Sequence, residues 1–183
     1  PPYQHQAEAL KRVFNSDKGH ALFMDPGTGK TKIAVDSIAA LQMSGKVERV
    51  LVLCPINALT VWPKELYKHS PTPLTYFVRP EIGTAIKKVE VFNEWVEKET
   101  NEPIEMPIQV AIFNYESLIT RNGKAPIFDT LMKWKPDMVI LDESQKIKSA
   151  TAKRSKQAHK ICAGSKYTLL LTGTPIGKNL LDL

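Results

Sequence analysis

The chain has 183 residues, of which 43% are hydrophobic and 24% charged, a composition typical of one soluble globular domain. Its apolar runs are far shorter than the roughly 18 residues of a membrane span, and its start lacks the basic and then apolar pattern of a signal peptide. The net charge of +6 favours a polyanionic partner without requiring one. Since position 1 is not methionine, we expect a longer protein around these residues.

Acidic and basic side chains are concentrated in different parts of the chain. Acids dominate residues 81–105, whereas residues 144–181 contain no acid and eight basic side chains. Two interpretations stay open: two solvated faces of opposite sign, or a basic strip from Lys146 to Lys166 that follows phosphates.

The two cysteines, Cys54 and Cys162, do not form a metal-binding pattern. Cys54 lies in an apolar run typical of a core strand, and His159 shares a helical face with Cys162 without a second pair at zinc spacing. So few cysteines fit a reducing, intracellular compartment. A bacterial or phage-infected cytoplasm and a nucleus fit equally well.

Strands and helices are predicted to alternate along the chain. Apolar residues at helical spacing predict a first helix from Tyr3 to Phe14, and Gly45 is placed to cap the second helix. The further predicted elements are a strand at 20–24, a helix at 29–43, a strand at 49–54, a helix carrying Trp62 and Leu66, a strand at 74–78, and a helix at 82–98 with the apolar stripe Ile86, Val89, Phe92, Trp95 and Val96. They continue with a strand at 108–114, short helices at 115–120 and 128–134, a strand at 137–141, a basic helix at 151–163, a strand at 167–173 and the start of a helix at 177–183.

This alternation predicts an α/β sandwich with a mostly parallel central sheet, in one domain. In such folds the ligand binds outside the carboxyl ends of the strands. Four polar segments follow predicted strands, and we expect them to gather at one edge of the sheet: "DPGTGKT" at 25–31, "CPINALT" at 54–60, "DESQ" at 142–145 and "TGTP" at 172–175.

The first of these segments predicts a phosphate-binding loop. Glycines let backbone amides point inward towards anionic oxygens, at the positive end of the following helix. Lys30 can reach the outer phosphates, and the Thr31 hydroxyl can bind Mg²⁺. Met24 stands where the full motif has a further glycine, and an ordinary tight turn is the alternative. The predicted nucleotide-binding residues are Asp25, Pro26, Gly27, Thr28, Gly29, Lys30 and Thr31.

Two carboxylates, Asp142 and Glu143, follow the predicted strand at 137–141. Beside a phosphate loop, one carboxylate can hold Mg²⁺ through water and the other can orient and deprotonate the attacking water. We assign Asp142, with Thr31, to the metal and Glu143 to the water, so that Lys30, Asp142 and Glu143 are the predicted catalytic residues. The predicted ligands are ATP and Mg²⁺, and solvated carboxylates are the alternative interpretation.

Several segments together resemble one family. They are "PYQHQ", "DPGTGKT", "LVLCPINALTVWPKE", "FNYESL", "LDESQKIKS" and "LLLTGTPIGKNLLDL". In this order they are similar to the motifs of superfamily-two helicases, and most of all to the Swi/Snf-type ATP-dependent DNA translocases. The resemblance spans residues 2–183 and corresponds to the first of that family's two RecA-like lobes, a P-loop three-layer sandwich. It implies that the second lobe is absent from this chain.

The resemblance implies roles for further residues. Gln4 matches a glutamine that binds the adenine edge, although a plain polar residue on the first helix is the alternative. Tyr115 matches a DNA-contacting segment, with a core aromatic as the alternative. The residues implied to contact DNA are Pro55, Asn57, Thr60, Asn114 and Tyr115, and those implied to couple ATP state to DNA movement are Gln145, Thr172, Gly173 and Thr174.

Some positions depart from the family pattern. Ser144 and Gln145 stand where the family usually has alanine and histidine, and Asp25 and Pro26 stand where an acid and methionine are usual. Gln145 can still donate and accept hydrogen bonds, so we expect ATP chemistry to survive. These departures leave the subfamily open.

The resemblance implies a motor that couples ATP hydrolysis to translocation on double-stranded DNA, with unknown further subunits and no membrane partner. The second lobe of such motors supplies an arginine finger, so we expect this lobe alone to be nearly inactive. The alternatives are a strand-separating helicase, a restriction-enzyme motor subunit, an ATP-switched DNA-binding module without hydrolysis, or a structural α/β domain.

Overall fold

A computed structural model describes residues 3–16, 18–81, 83–101, 107–120, 122–147, 149 and 151–173. Within these ranges the strands are β1 (Gly19–Phe23), β2 (Arg49–Cys54), β3 (Leu74–Val78), β4 (Ile108–Asn114), β5 (Met138–Asp142) and β6 (Tyr167–Thr172). The helices are α1 (Gln4–Phe14), α2 (Lys30–Met43), α3 (Val61–His69), α4 (Ala85–Asn101), α5 (Pro126–Trp134) and α6 (Lys153–Gly164). Short 3-10 helices lie at Ile56–Ala58, Tyr115–Leu118 and Ser144–Ile147. No helix in these ranges has the length and apolar character that a bilayer crossing needs.

The described strands form one sheet in the order β1-β6-β5-β2-β4-β3, and every neighbouring pair is parallel. Parallel neighbours require crossover connections, which α2 to α6 supply. The predicted α/β fold with a parallel central sheet is therefore confirmed. In the register, Phe23 pairs with Thr172 and Leu171 pairs with Asp142, so β1, β6 and β5 end at the same edge.

Helices cover both faces of the sheet and make two separate cores. One core packs α1, α2 and α3 on the sheet, around residues such as Ile33, Trp62 and Val52. The other packs α4, α5 and α6 on the opposite face, around residues such as Phe92 and Trp134. Central strands buried on both faces explain the near-continuous aliphatic runs in the sequence.

The end of α2 has the cap that the sequence predicts. Gly45 has a φ of 68°, its amide donates to the carbonyl oxygen of Gln42, and the Lys46 amide donates to that of Leu41. These two bonds form the helix-ending motif that favours glycine in the left-handed region.

Several predicted elements differ from the structure in their bounds. Helix α4 begins at Ala85 rather than 82, and Ile86 is 66% exposed, so the predicted apolar stripe starts one turn too early. The predicted helix at 115–120 is a 3-10 helix that ends at Leu118. The 3-10 helix at Ser144–Ile147 was not predicted. The predicted helix at 177–183 lies outside the described residues.

Candidate functional site

The loop between β1 and α2 has the backbone of an anion-binding turn. Gly27 and Gly29 have φ values of 80° and 90°, the left-handed region that favours glycine. A Cβ at Gly27 would meet nothing within 4 Å, which leaves open space beside the loop. The Thr28 hydroxyl donates to the carbonyl oxygen of Asp25 at 2.7 Å and holds the turn closed. Helix α2 begins directly after it at Lys30, so its unpaired amides face the same space.

Lys30, the first residue of α2, reaches back over this loop with its side chain. Its Nζ atom donates to the carbonyl oxygen of Met24 at 2.8 Å and to that of Asp25 at 3.1 Å. An ammonium group has three donors, and two of them are used here by neutral carbonyl oxygens. Anionic phosphate oxygens would replace these neutral acceptors.

Gln6 holds the loop from outside, a role that the sequence did not predict. Its side chain is only 5% exposed, and its Nε2 atom donates to the carbonyl oxygen of Thr28 at 3.1 Å. A Cβ at Gly29 would come within 2.3 Å of the same Nε2 atom, so Gln6 would have to shift, and the φ of 90° itself favours glycine. Gln4, the predicted adenine-binding residue, lies two positions earlier on α1 and is exposed. The sequence offered no signal for Gln6 beyond its place in the apolar pattern of α1.

Asp142 ends β5 at the edge where β1 and β6 also end. Its Oδ2 atom accepts a hydrogen bond from the Trp62 indole nitrogen at 2.9 Å. Burial raises the pKa of Asp142 above its usual 3.8, the Trp62 bond opposes that rise, and the nearby charge of Glu143 adds to it. The charge of Lys30 also lowers this pKa, so the lysine and the aspartate act on one another across the edge of the sheet.

Glu143 is held by its backbone and by Gln145. Its φ of 49° is unusual for a residue with a side chain. The Gln145 Nε2 atom donates to Glu143 Oε2 at 2.5 Å, while the Thr172 hydroxyl donates to Gln145 Oε1 at 2.6 Å. Gln145 thus bridges the acidic pair and the end of β6, through the 3-10 helix that the sequence analysis missed.

Gly173 connects the end of β6 with the loop between β1 and α2. A Cβ on this residue would lie 3.3 Å from Pro26 side-chain atoms and 3.6 Å from Lys30 Nζ. Three predicted segments, at 25–31, 142–145 and 172–173, therefore meet at one edge of the sheet. Thr174 lies outside the described residues.

The residues predicted to contact DNA divide into two groups. Asn57 and Thr60 are exposed and Pro55 is half-buried, in the segment after β2. Asn114 is 4% exposed and Tyr115 1% exposed, with the Tyr115 hydroxyl donating to the backbone oxygen of Asp142 at 2.7 Å. Tyr115 is thus a core aromatic, the alternative that the sequence left open, and we withdraw its side chain from the DNA contacts. Burial raises its pKa, so the hydroxyl stays protonated and remains a donor.

The basic segment forms an exposed face of α6. Lys153, Lys156 and Lys160 are exposed on this helix, and Arg154 lies 3.8 Å from Glu116 in the segment after β4. Lys166 lies at the opposite edge of the sheet, where it pairs with Asp137 at 3.0 Å.

The donor atoms at the site suit a hard cation. Within the described ranges, no three His, Cys, Asp or Glu side chains form a metal-binding cluster. Mg²⁺ keeps several waters and needs only one or two carboxylates with other oxygen ligands. The Asp142 carboxylate at the strand end and the Thr31 hydroxyl in the first turn of α2 provide such oxygens.

Comparisons with known proteins agree on one family. The family described as the SNF2-related domain matches residues 3–183. The DNA excision repair protein ERCC-6-like of Mus musculus is 30% identical over 186 residues, which cover 99% of this chain and 14% of that protein. The chromatin-remodeling ATPase INO80 of Neurospora crassa is 31% identical over 158 residues, 86% of this chain and 7% of that protein.

Solved structures share the fold. The Sulfolobus solfataricus SWI2/SNF2 ATPase core in complex with dsDNA has a TM-score of 0.68 and 23% identity, over 100% of this chain and 34% of that one. The Type ISP restriction-modification enzyme LlaBIII bound to DNA has a TM-score of 0.72 and 22% identity, over 96% of this chain and 13% of that one. The chain thus spans about one seventh or less of the length of these two curated relatives. The family match over almost the whole chain, with the RecA-like fold and the three segments that meet at its edge, shows that this chain belongs to the SNF2-related domain family.

Proposed function

We propose that this chain is the ATP-binding, first RecA-like lobe of a DNA-dependent ATPase that couples ATP hydrolysis to translocation on double-stranded DNA. One observation carries the proposal: Gly173 lies beside Pro26 and Lys30, while Gln145 bridges Glu143 and Thr172. The end of β6 thus joins a phosphate-binding loop to an acidic pair, which is the set of groups that a nucleotide hydrolase requires.

In this proposal the phosphate loop binds the triphosphate. The amides around Gly27 and the start of α2 donate to phosphate oxygens. Lys30 exchanges its bonds to the Met24 and Asp25 carbonyl oxygens for bonds to the outer phosphates. Gln6 keeps the loop in place by its bond to Thr28, and Gln4 binds the adenine edge.

Asp142 and Thr31 would hold Mg²⁺, and Glu143 would orient the attacking water and accept its proton. A bound Mg²⁺ neutralises charge on the phosphates as the reaction proceeds. Glu143 suits its role because the Gln145 amide fixes one of its oxygens, which leaves the other to accept a hydrogen bond from water.

Gln145 and Thr172 would transmit the state of the nucleotide. A change at Glu143 alters its bond to Gln145, and Gln145 is bonded in turn to Thr172 at the end of β6. Gly173 follows and touches the phosphate loop, so both sides of the nucleotide act on one segment.

Binding to double-stranded DNA is supported by the exposed Asn57 and Thr60, by the basic face of α6, and by the structural neighbours, which are DNA complexes. Such a protein works inside the cell, with a second RecA-like lobe as its partner. An arginine finger from that lobe is typically worth about 10³–10⁵ in rate, so the 183-residue chain alone hydrolyses ATP very slowly.

The Glu143→Gln variant of the intact protein tests the proposal. Removing the carboxylate that accepts the proton lowers DNA-stimulated ATP turnover by about 10²-fold or more, while binding of ATP, measured by equilibrium titration, stays within a factor of about three of the wild type. The matched control is Glu90→Gln, an exposed glutamate on α4 that pairs with Lys87, and it leaves turnover unchanged.

Turnover unchanged in Glu143→Gln contradicts the assigned chemistry. A wild-type protein that binds ATP and DNA without hydrolysis would instead support an ATP-switched binding module. Strand displacement by the intact protein would identify a helicase that separates strands.

A further inference from the structure

Two aromatic side chains donate hydrogen bonds to Asp142 from opposite faces of the sheet. Trp62 belongs to the core on the α1–α3 face, and its indole nitrogen donates to Asp142 Oδ2 at 2.9 Å. Tyr115 belongs to the core on the α4–α6 face, and its hydroxyl donates to the Asp142 backbone oxygen at 2.7 Å. The proposed metal-holding residue is therefore fixed in both its side chain and its backbone.

The two donor side chains lie in the interior of the protein, whereas their acceptor, Asp142, is half-buried at the site. Trp62 and Tyr115 are each 1% exposed, so little water reaches either donor. A bond to a carboxylate is about twice as strong as one between neutral groups, and the Trp62 bond selects one rotation of the Asp142 carboxylate.

The donors come from the segments after β2 and β4, which the family resemblance implies to contact DNA. Trp62 lies in the first turn of α3, two residues after Thr60. Tyr115 directly follows Asn114 at the end of β4. A shift of either segment on DNA therefore moves a donor that reaches Asp142, because both side chains are packed too tightly to move independently of their backbone.

We propose that Trp62 and Tyr115 are positioning residues which link DNA bound after β2 and β4 to the Mg²⁺-holding Asp142. This inference rests on the proposed function. Trp62 fixes the carboxylate and Tyr115 fixes the backbone of the same residue, so DNA bound at the two segments improves Mg²⁺-dependent nucleotide binding. By linkage, nucleotide then improves DNA binding by the same factor.

Trp134 offers a matched comparison within the chain. It is also buried, at 7% exposed, but its indole nitrogen has no hydrogen-bond partner among the described residues. The fold therefore tolerates a buried indole without such a bond, and Trp134→Phe removes an N–H that positions nothing. Trp62→Phe removes one that positions Asp142 and keeps an aromatic ring in the core.

The experiment measures equilibrium binding of a non-hydrolysable ATP analogue to the intact protein across a Mg²⁺ titration, with and without linear duplex DNA. ATP turnover under the same conditions is the second measurement. Loss of a group that orients a metal ligand typically costs about 10–100-fold in metal affinity or activity. We expect Trp62→Phe to raise the Mg²⁺ concentration for half-maximal binding by about tenfold and to remove most of the effect of DNA. Trp134→Phe behaves as wild type.

Tyr115→Phe is the second variant, since it deletes a single oxygen and leaves the ring in place. It lowers the effect of DNA on analogue binding, with a smaller change in Mg²⁺ dependence than Trp62→Phe, because it acts on the backbone of Asp142. It gives a result even if Trp62→Phe does not fold.

The two levels of proposal fail differently. A wild-type protein without DNA-stimulated ATP turnover contradicts the proposed function itself. Normal stimulation in the wild type, together with unchanged Mg²⁺ dependence and an unchanged DNA effect in Tyr115→Phe and in any folded Trp62→Phe, overturns this inference alone. Equal losses in Trp62→Phe and Trp134→Phe also overturn it, because they indicate only core packing.

Discussion

Asp137 and Asp142 stand at opposite ends of β5 and have opposite environments. Asp137 accepts hydrogen bonds from the amides of Glu48 and Arg49 at 3.1 and 3.0 Å, and it pairs with Lys166 at 3.0 Å. Its own backbone bonds to Arg49, Lys166 and Tyr167, so it ties together the starts of β2, β5 and β6. The Asp142 carboxylate, at the other end, accepts hydrogen bonds from the Trp62 indole and the Glu143 amide and lies at the site.

The pKa values reflect this difference. Burial alone raises the pKa of Asp137, but the bonds from Lys166 and from the Arg49 and Glu48 amides outweigh it and lower the pKa below 3.8. Burial raises the pKa of Asp142, and the hydrogen bonds from the Trp62 indole and the Glu143 amide do not compensate. One end of the strand therefore has a carboxylate that stabilises the fold, and the other end has one whose charge opposes folding and is available for a ligand.

The largest expected effect is on ATP turnover, which should depend on Asp142 and not on Asp137. Asp142→Ala lowers ATP turnover of the intact protein by about 10²–10³-fold, since it removes a preorganised charge at the site. Asp137→Asn keeps turnover within about twofold of the wild type, because it lies at the distant end of β5 and changes no interaction in the site. Steady-state hydrolysis measures both, and a comparable loss in both variants would break the comparison.

The next effect is on stability and concerns Asp137. Asp137→Ala leaves the amides of Glu48 and Arg49 without their acceptor, which costs about 2–4 kcal/mol of the free energy of unfolding. Lys166→Ala is the control and costs less than about 1 kcal/mol, because the lysine side chain is 66% exposed. Chemical denaturation of the two variants gives both values, and similar losses would assign the effect to the ion pair instead of the amides.

The smallest effect has the opposite sign and concerns Asp142. Asp142→Asn raises the free energy of unfolding at pH 7 by about 0.5–2 kcal/mol, because it removes a buried charge and keeps an oxygen that accepts from Trp62. The advantage shrinks as the pH falls through the raised pKa of Asp142 in the folded state and towards 3.8, since the wild-type carboxylate then becomes neutral as well.

Asp137 has the reverse dependence on pH. Its pKa is depressed in the folded state, so its contribution is complete above 3.8 and is lost as the pH falls through the lower folded value. Unfolding curves of the wild type, Asp137→Asn and Asp142→Asn, measured from pH 7 down to acidic pH, test whether the two aspartates have opposite effects on the pH dependence of stability. Parallel pH dependences in the two variants would contradict the comparison.

The sequence predicted the fold well because its signals are local. The aliphatic run at 49–54 is enough to predict the buried strand β2, and the glycine at position 45 is enough to predict the end of α2. Both signals depend only on residues close together in the sequence. Parallel strands then bring their carboxyl ends together by topology, which is why segments distant in sequence, at Lys30 and Gly173, were expected to meet.

The residues that the sequence did not reveal act through long-range contacts. Trp62 reads as a core aromatic on α3, and only the geometry shows that its nitrogen reaches a residue 80 positions away. Gln6 reads as a polar residue on α1, although it supports the loop at Thr28. Tyr115 was placed on the DNA because its segment matches a DNA-contacting motif, and a motif match does not tell which side chains point inwards. The Ile86 error has the same origin, since periodicity gives a face but not where the neighbouring layer ends.

The bonds from Lys30 to the Met24 and Asp25 carbonyl oxygens have a consequence for recognition. A cation already seated in the loop neutralises the inward-facing oxygens that would otherwise repel an incoming anion. In the proposed function, the Lys30 side chain is thus ordered before the nucleotide arrives, so little of its conformational entropy is lost on binding. Affinity then depends on how much more strongly the Lys30 ammonium binds a charged phosphate oxygen than the two neutral carbonyl oxygens. This difference favours ligands whose terminal group carries the most negative charge.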